Sequence, residues 1–353
     1  MKHNFNPGPS ILPKSVLQKA SQSVVDFDGS GLSILEISHR SSAFKEVLQK
    51  TKLLVLEIAG ISDNDYGVLF LHGGASTQFL NVAANFLNNK AGYSDTGSWS
   101  AKAIKEAKHY GQIIEVASSA YSDYSFIPVS FDEETATLDY VHITTNNTIY
   151  GTQYSEIPQV DCPLIADMSS DIFSKTLDYQ KFDLFYAGAQ KNLGPAGVAL
   201  VVVKKSLLET IQRQLPSMLN YKLHLAKESS FNTPPVFAIY TTMLNLQWIK
   251  DNGGLKKLNK KNNQKASLLY SEIDRNAKFR GFANKEDRSQ MNAVFNLVDP
   301  SEKEIFDQIW ESEGIVGLNG HRSVGGYRAS IYNALDLKSV ELLVDCMKRL
   351  ENR

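Results

Sequence analysis

Short apolar runs alternate with stretches of helical periodicity over residues 65–205 of the chain. Residues 76–89 are typical of the helical stretches, because their apolar side chains recur every three to four positions. The apolar runs predict strands at 66–74, 111–117, 162–170, 183–190 and 197–205. Residues 199–203 are apolar at consecutive positions, which favours a strand buried on both faces. The pattern predicts an α/β domain, with a mostly parallel sheet flanked by helices.

The pattern changes near residue 232, where longer helical stretches replace the alternation. Helices are predicted up to the glycines at 253–254 and then over 255–274, 302–314 and 337–352, with a strand over 292–298. A chain of 353 residues is long enough for two cores. We therefore predict an N-terminal segment (1–15), a large domain (16–254) and a smaller C-terminal α+β domain (255–353).

Composition and charge narrow the range of partners. The chain is 42% hydrophobic and its formal net charge is -1, so neither a nucleic acid nor an anionic membrane is expected as a partner. The local basic run at 256–265 is predicted to be a solvated helix face, with a binding patch as the alternative. No apolar stretch has the length of a transmembrane helix or a signal peptide.

Cysteine and histidine usage indicate the compartment and the kind of site. Cys162 and Cys346 are far apart and form no CxxC pair, which fits free thiols in a reducing, cytoplasmic environment. The seven histidines show no ligand spacing, so no metal site is expected.

Three features with chemical potential fall at the carboxyl ends of predicted strands, where open α/β sheets bind ligands. "HGGAST" (72–77) follows a strand and opens a helix, which suits a phosphate or is an ordinary glycine-rich turn. Asp167 ends the run "PLIAD" and Lys191 follows the next predicted strand. Taken alone, Asp167 is better explained as an N-cap or as part of a structural salt bridge. Taken alone, Lys191 is better explained as a surface lysine.

Together the three features match what pyridoxal phosphate requires of a protein. The lysine forms a Schiff base, the carboxylate keeps the ring nitrogen protonated, and the helix N-terminus holds the phosphate. Burial and nearby positive charge lower the pKa of a lysine enough to make it a nucleophile. Trp99, in "TGSWS", is either a core residue or the aromatic lid of a cofactor ring.

A second group of residues is basic and comes from opposite ends of the chain. "ISHRSS" contains His39 and Arg40, and "GHRSVGGYRAS" contains His321, Arg322 and Arg328. Arginine binds carboxylate and phosphate in bidentate geometry. The group therefore suggests a substrate with several negative charges, and separate surface salt bridges are the alternative.

The chain resembles the phosphoserine aminotransferases, which are class-V pyridoxal-phosphate enzymes of fold type I, the aspartate-aminotransferase-like fold. The resemblance runs almost from end to end. It is carried by "FNPGPS" (5–10), "EISHRS" (36–41), "HGGAS" (72–76), "TGSWS" (96–100), "ADMSSDIFS" (166–174), "YAGAQKNLGPAG" (186–197), "FNTPP" (231–235) and "HRSVGGYRAS" (321–330).

The resemblance implies roles at the matching positions. Lys191 would hold pyridoxal 5'-phosphate and Asp167 would pair with its ring nitrogen. The other implied cofactor contacts are Trp99 on the ring, Thr148 at the phenolic oxygen, and Ala75, Ser76 and Gln190 at the phosphate, with Asn232 and Thr233 reaching the phosphate bound in the partner subunit. The implied substrate-binding residues are His39, Arg40, His321, Arg322 and Arg328, of which Arg328 takes the α-carboxylate.

The implied reaction moves the amino group of glutamate to 3-phosphohydroxypyruvate, giving 2-oxoglutarate and 3-phosphoserine for L-serine biosynthesis. The implied assembly is a homodimer with shared active sites. Some relatives also act on a four-carbon phosphorylated oxo acid in pyridoxine biosynthesis, and the sequence leaves that activity open. Some members have an arginine in the glycine-rich turn, where this chain has Ala75, Ser76 and Thr77. One phosphate contact is therefore missing or replaced.

Other functions explain the residues less well. An aminotransferase of the alanine–glyoxylate type is the main alternative. A cysteine desulfurase would need a mobile cysteine near the site, whereas Cys162 begins a buried strand and Cys346 lies in the last helix. A cofactor-free Schiff-base lyase leaves Asp167 and Trp99 without a role. A non-catalytic descendant would be expected to have lost Lys191 or Asp167.

Overall fold

The computed structural model describes residues 2–128, 130–131 and 135–353. Its helices are α1 (Lys14–Val25), α2 (Ser42–Ala59), α3 (Gly74–Phe86), α4 (Ser98–Ala107), α5 (Lys205–Leu208), α6 (Tyr221–Ala226), α7 (Val236–Asp251), α8 (Gly254–Arg275), α9 (Lys303–Ser312) and α10 (Leu337–Glu351). Its strands are β1 (His3–Asn4), β2 (Tyr66–His72), β3 (Lys90–Asp95), β4 (Gln112–Ser118), β5 (Val141–Thr144), β6 (Asn146–Asn147), β7 (Thr152–Gln153), β8 (Leu164–Asp167), β9 (Leu184–Gly188), β10 (Val198–Lys204), β11 (Phe279–Gly281), β12 (Asn292–Leu297), β13 (Ile315–Val316) and β14 (Tyr327–Ser330). None of the helices within these described residues is both long enough and apolar enough to cross a membrane.

A seven-stranded sheet with the order β2-β10-β9-β8-β5-β3-β4 forms the centre of the molecule. Strand β10 runs antiparallel to both of its neighbours, and the other pairs in the sheet are parallel. The prediction of a mostly parallel sheet is therefore confirmed. Strands β3 and β5 were not among the predicted strands, although they lie inside the sheet between β8 and β4.

Helices cover both faces of this sheet. Buried apolar side chains of α2 and α7 pack on one face, against residues such as Phe70, Leu200 and Val202. Helices α3 and α4 cover the other face, against residues such as Leu71 and Val201. Consecutive residues of β2 and β10 thus point to different cores, which is why their sequences are continuously apolar.

A third cluster of buried apolar residues lies around the antiparallel sheet β11-β12-β14 and helices α8, α9 and α10. Phe5 from the N-terminal segment belongs to this cluster, and β1 pairs in parallel with β13. The first residues of the chain therefore pack with its C-terminal part. The division at residues 15 and 254 stays a prediction.

The basic run on α8 is only partly solvated. The four lysines between 256 and 261 are exposed, as predicted, but Lys265 is 2% exposed. Its Nζ donates hydrogen bonds to the carbonyl oxygens of Ile331 (2.8 Å) and Tyr332 (2.6 Å), just after β14. The prediction of a solvated face is wrong for Lys265, because it lies on the same buried face of α8 as Leu258 and Leu269. Burial lowers the pKa of Lys265 to about 7.

Candidate active site

A cavity of about 130 Å³ lies at the carboxyl edge of the central sheet. The parallel pairing of β8 aligns its last residue, Asp167, with Thr144 at the end of β5 and with Tyr186 of β9. Predicted site residues that line the cavity are Ala75, Ser76, Trp99, Asp167, Gln190 and Lys191. Residues from five separate segments of the sequence therefore meet in one place.

The glycine-rich turn forms one wall of the cavity. Gly73 and Gly74 have φ angles of 93° and 65°, in the left-handed region, and α3 begins directly at Gly74. A Cβ atom on Gly73 would lie 1.9 Å from the Thr77 hydroxyl, so a side chain there would clash. The first backbone N–H groups of a helix have no partner within the helix. At α3 the first of these groups belong to Gly74, Ala75 and Ser76, which line the cavity, so this wall has the geometry that suits an anion.

Asp167 is a buried carboxylate that also lines the cavity, 4% exposed. Its Oδ1 accepts hydrogen bonds from the backbone N–H (2.9 Å) and the hydroxyl (2.6 Å) of Ser169. Burial raises its pKa, while the Ser169 hydrogen bonds and the charge of Lys191 act in the opposite direction. Both of these hydrogen bonds reach Oδ1, so Oδ2 is available to a ligand in the cavity.

Lys191 lines the same cavity. Its Nζ donates a hydrogen bond of 2.6 Å to the Thr148 hydroxyl and lies 5.7 Å from the centre of the Trp99 ring. Burial lowers the pKa of Lys191 to about 8, the charge of Asp167 opposes this shift, and the charge of Arg328 adds to it. A larger fraction of the Lys191 amine is therefore neutral, and so nucleophilic, at pH 7 than in an ordinary lysine.

The backbone around Lys191 is fixed from two sides. Ser10 of the N-terminal segment donates from its backbone N–H to the Gln190 carbonyl (2.9 Å) and from its hydroxyl to the Lys191 carbonyl (2.5 Å). Asn245 of α7 donates to the next two carbonyls along the chain, at 2.7 and 2.9 Å. A Cβ atom on Gly8 would lie 3.2 Å from Lys191 Cγ, so the "FNPGPS" segment packs directly against the lysine.

The basic residues near the C-terminus lie beside this cavity. Arg328 of β14 is 7% exposed and donates from Nη1 to the Thr148 carbonyl at 3.3 Å. Within the described residues its buried Nε has no hydrogen-bond partner. His321 is half-buried and Arg322 is exposed. Burial lowers the pKa of His321, and the charges of Arg328, Arg322 and Lys102 lower it further.

Eight predicted residues do not line the cavity. They are Thr148, His321, Arg322 and Arg328, and also His39, Arg40, Asn232 and Thr233. His39 and Arg40 precede α2, and Arg40 is exposed to solvent. Asn232 and Thr233 precede α7, where the Thr233 carbonyl lies 2.8 Å from His72 Nε2, at the end of β2 next to the glycine-rich turn. The cofactor and substrate contacts predicted for His39, Arg40, Asn232 and Thr233 therefore cannot be made in this cavity as the single chain forms it.

Several polar residues of the site were missed in the sequence. Thr144, Asn146, Ser169 and Ser170 also line the cavity. A serine two positions after an aspartate commonly bonds the carboxylate, so "DMSS" carried a signal for Ser169. Thr144 and Asn146 carried none, because no strand was predicted where β5 and β6 lie.

Known proteins are similar to this chain over almost its entire length. A family model described as aminotransferase class-V matches residues 2–343. The phosphoserine aminotransferase of Flavobacterium psychrophilum is 54% identical over 354 residues, covering 100% of this chain and 99% of the relative.

Solved structures of similar proteins extend the comparison to three dimensions. The phosphoserine aminotransferase from Bacillus circulans subsp. alkalophilus has a TM-score of 0.96 and 43% identity, covering 100% of this chain and 99% of that one. The pyridoxal-phosphate-bound phosphoserine aminotransferase from Trichomonas vaginalis has a TM-score of 0.91 and 31% identity, covering 99% and 100%.

Proposed function

We propose that the chain, which belongs to the class-V aminotransferases and among them to the phosphoserine aminotransferases, uses pyridoxal phosphate bound covalently at Lys191. It transfers the amino group of glutamate to 3-phosphohydroxypyruvate, which yields 2-oxoglutarate and 3-phosphoserine. One observation carries the proposal: a lysine of lowered pKa, a buried carboxylate and a helix N-terminus meet in one cavity. The full-length identity to phosphoserine aminotransferases favours this function over the alanine–glyoxylate type.

The residues that line the cavity fit this cofactor. The N–H groups at the start of α3, with the side chains of Ser76 and Gln190, suit a phosphate. Trp99 offers an aromatic face, and Asp167 Oδ2 is free to accept a hydrogen bond from a protonated ring nitrogen. Thr148, which bonds the free Lys191 amine, becomes available to the ring hydroxyl once that amine is used. When bound, the cofactor supplies an electron-accepting ring that stabilises negative charge on the neighbouring carbon of the substrate.

The chain's own residues carry the proton transfers. With the cofactor bound, the amine of Lys191 would take the proton from the α-carbon of the substrate at Nζ and donate it again, since an amine of pKa about 8 is both a competent base and a competent acid near pH 7. Asp167 holds the proton on the ring nitrogen throughout, because its buried negative charge favours a cation beside it.

Both substrates are multiply charged anions, and the basic residues suit both. Arg328 lies beside Lys191 with an open Nε donor, and we assign it the α-carboxylate that all substrates share. His321 and Arg322 are more exposed than Arg328, and we assign them the phosphate or the distal carboxylate of glutamate. His39 and Arg40 complete this group of cations in the assembled enzyme.

The assembly proposed is a homodimer with shared active sites. It is supported by the position of Asn232 and Thr233, which lie beside the end of β2 but outside the cavity of their own protomer. A second protomer gives these residues a cofactor phosphate to contact, and brings the exposed Arg40 to a site. We propose the cytoplasm as the compartment, since Cys162 and Cys346 are free thiols.

Borohydride reduction of the purified holoprotein tests the proposal. We expect a pyridoxyl group on the peptide that contains Lys191, identified by digestion and mass spectrometry. Lys265 is the internal control, because it is also buried with a lowered pKa but lies away from the cavity. A label on Lys265, or on no lysine, would overturn the mechanism.

The pKa of the Lys191 amine should be well below that of an ordinary lysine. Competitive acetylation of the cofactor-free protein, followed by mass spectrometry of the Lys191 peptide, is expected to give a midpoint near pH 8, with about one tenth of the amine neutral at pH 7. Asp167→Asn should lower this midpoint, because the carboxylate raises the pKa of Lys191. A midpoint near that of the exposed lysines on α8 would contradict the expected burial effect.

A further inference from the structure

Lys102 is a cation in contact with Trp99, a residue that lines the cavity, and neither the fold nor the proposed mechanism requires it. It lies on α4 one turn after Trp99, and its Nζ lies 4.2 Å from the centre of the Trp99 ring. The side chain is exposed, and it forms no salt bridge with any described residue. The aromatic ring therefore holds the ammonium group beside the site while its three donors remain available.

Lys102 also lies close to the C-terminal basic residues. Its charge contributes to the lowered pKa of His321, together with the charges of Arg328 and Arg322. Helix α4 thus adds a cation to the basic cluster that β14 and the preceding loop form. Like charges gathered without acidic partners repel one another, and such a cluster is stabilised when it binds an anion.

A phosphate dianion at the site needs one more cation than the glycine-rich turn and Arg322 supply. The glycine-rich turn from Gly73 to Thr77 contains no cation, and its N–H groups are needed for the cofactor phosphate. Burial lowers the pKa of His321 and the cations Arg328, Arg322 and Lys102 lower it further, so these four side chains are close enough to act on one anion together. A phosphate dianion beside His321 carries two negative charges, which the permanent charges of Arg322 and one further cation would balance.

We propose that Lys102 is this cation and binds the phosphate group of the phosphorylated substrate, beside His321 and Arg322. The inference rests on the proposed function. A phosphate carries more charge than the distal carboxylate of glutamate, and a lysine binds as a point charge. Lys102 therefore favours the phosphorylated substrate over glutamate.

The test compares Lys102→Met with Lys105→Met in the holoenzyme. Lys105 is the matched control, because it is exposed on the same helix one turn further on and does not contribute to the shift of His321. For Lys102→Met we expect the KM for 3-phosphohydroxypyruvate to rise about tenfold with little change in kcat. The glutamate half-reaction should change less than about twofold, and Lys102→Arg should restore the KM.

Inorganic phosphate provides a second measurement that needs no turnover of the phosphorylated substrate. Its inhibition constant against the glutamate half-reaction should rise in Lys102→Met and stay unchanged in Lys105→Met. Equal losses with glutamate and with 3-phosphohydroxypyruvate, or an unchanged KM, would overturn the role of Lys102. A wild-type protein that transaminates glutamate but never 3-phosphohydroxypyruvate would overturn the proposed function itself, before any variant is compared.

Discussion

Asp167→Asn is expected to lower turnover by about 10²–10³-fold while the protein stays folded, since loss of one preorganised electrostatic group commonly costs that much. Asparagine has the same shape, and its Oδ1 still accepts the two hydrogen bonds from Ser169. The amide at the position of Oδ2, however, donates a hydrogen bond where the carboxylate accepts one. A ring nitrogen facing that amide stays unprotonated, and the ring then accepts electrons poorly.

Asp171→Asn is the matched control for this prediction. Asp171 is a second buried carboxylate on the same segment, but its oxygens accept hydrogen bonds from Thr145 (2.5 Å) and Gln153 (3.0 Å). We expect Asp171→Asn to reduce stability and to leave most of the turnover. The measurement is the single-turnover rate of the glutamate half-reaction, with thermal unfolding alongside. Similar losses of rate in both variants would mean that Asp167 acts only through the structure.

The sequence predicted this carboxylate because its position follows from simple sheet geometry. Residues 164–166, which precede Asp167, and residues 184–188 of β9, which lie shortly before Lys191, are apolar and buried at every position. The carboxyl ends of parallel strands meet at one edge, so polar residues directly after them are brought together.

Strands β3 and β5 escaped prediction for the opposite reason. Their buried positions include Ser94, Asp95, His142 and Thr144, which hydrophobic patterning assigns to a surface. In the structure, hydrogen bonds reach three of these four side chains. The Tyr154 hydroxyl lies 2.8 Å from the Ser94 hydroxyl, the Tyr186 hydroxyl lies 2.9 Å from His142 Nε2, and Ser100 donates to Asp95 at 2.9 Å. Within the described residues the Thr144 hydroxyl and His142 Nδ1 have no partner. The pairings of Ser94 and His142 join residues 60 and 44 positions apart, and no local pattern shows them.

Lys265 illustrates the same limit on a helix. Its local sequence is that of an exposed basic face. The two carbonyl oxygens that accept its hydrogen bonds belong to residues 331 and 332, which are distant in the sequence. Burying an ammonium group is costly without such acceptors. The periodicity of α8 placed it on the apolar face with Leu258 and Leu269, but its charge outweighed that signal in the prediction.

Arg328→Ala should lower kcat/KM by about 10²–10³-fold for glutamate and for 3-phosphohydroxypyruvate alike. Both substrates carry an α-carboxylate, and removing one partner of a buried charge pair costs about 2–5 kcal/mol. Arg328→Lys should recover little, because a lysine lacks the second donor of the planar fork.

The structure also indicates that kcat/KM of Arg328→Ala should fall because substrate binding is lost, and not because the protein unfolds. The only hydrogen bond that Arg328 makes from its side chain to the described residues is the 3.3 Å contact with the Thr148 carbonyl, and its buried Nε has no partner there. Removing a guanidinium so poorly paired should leave thermal unfolding nearly unchanged. Steady-state kinetics with each substrate decide the assignment: equal losses place Arg328 at the shared α-carboxylate, whereas a loss confined to 3-phosphohydroxypyruvate would move it to the phosphate. Because Lys102 is expected to give that selective loss, the two variants together separate the two anion-binding positions of the site.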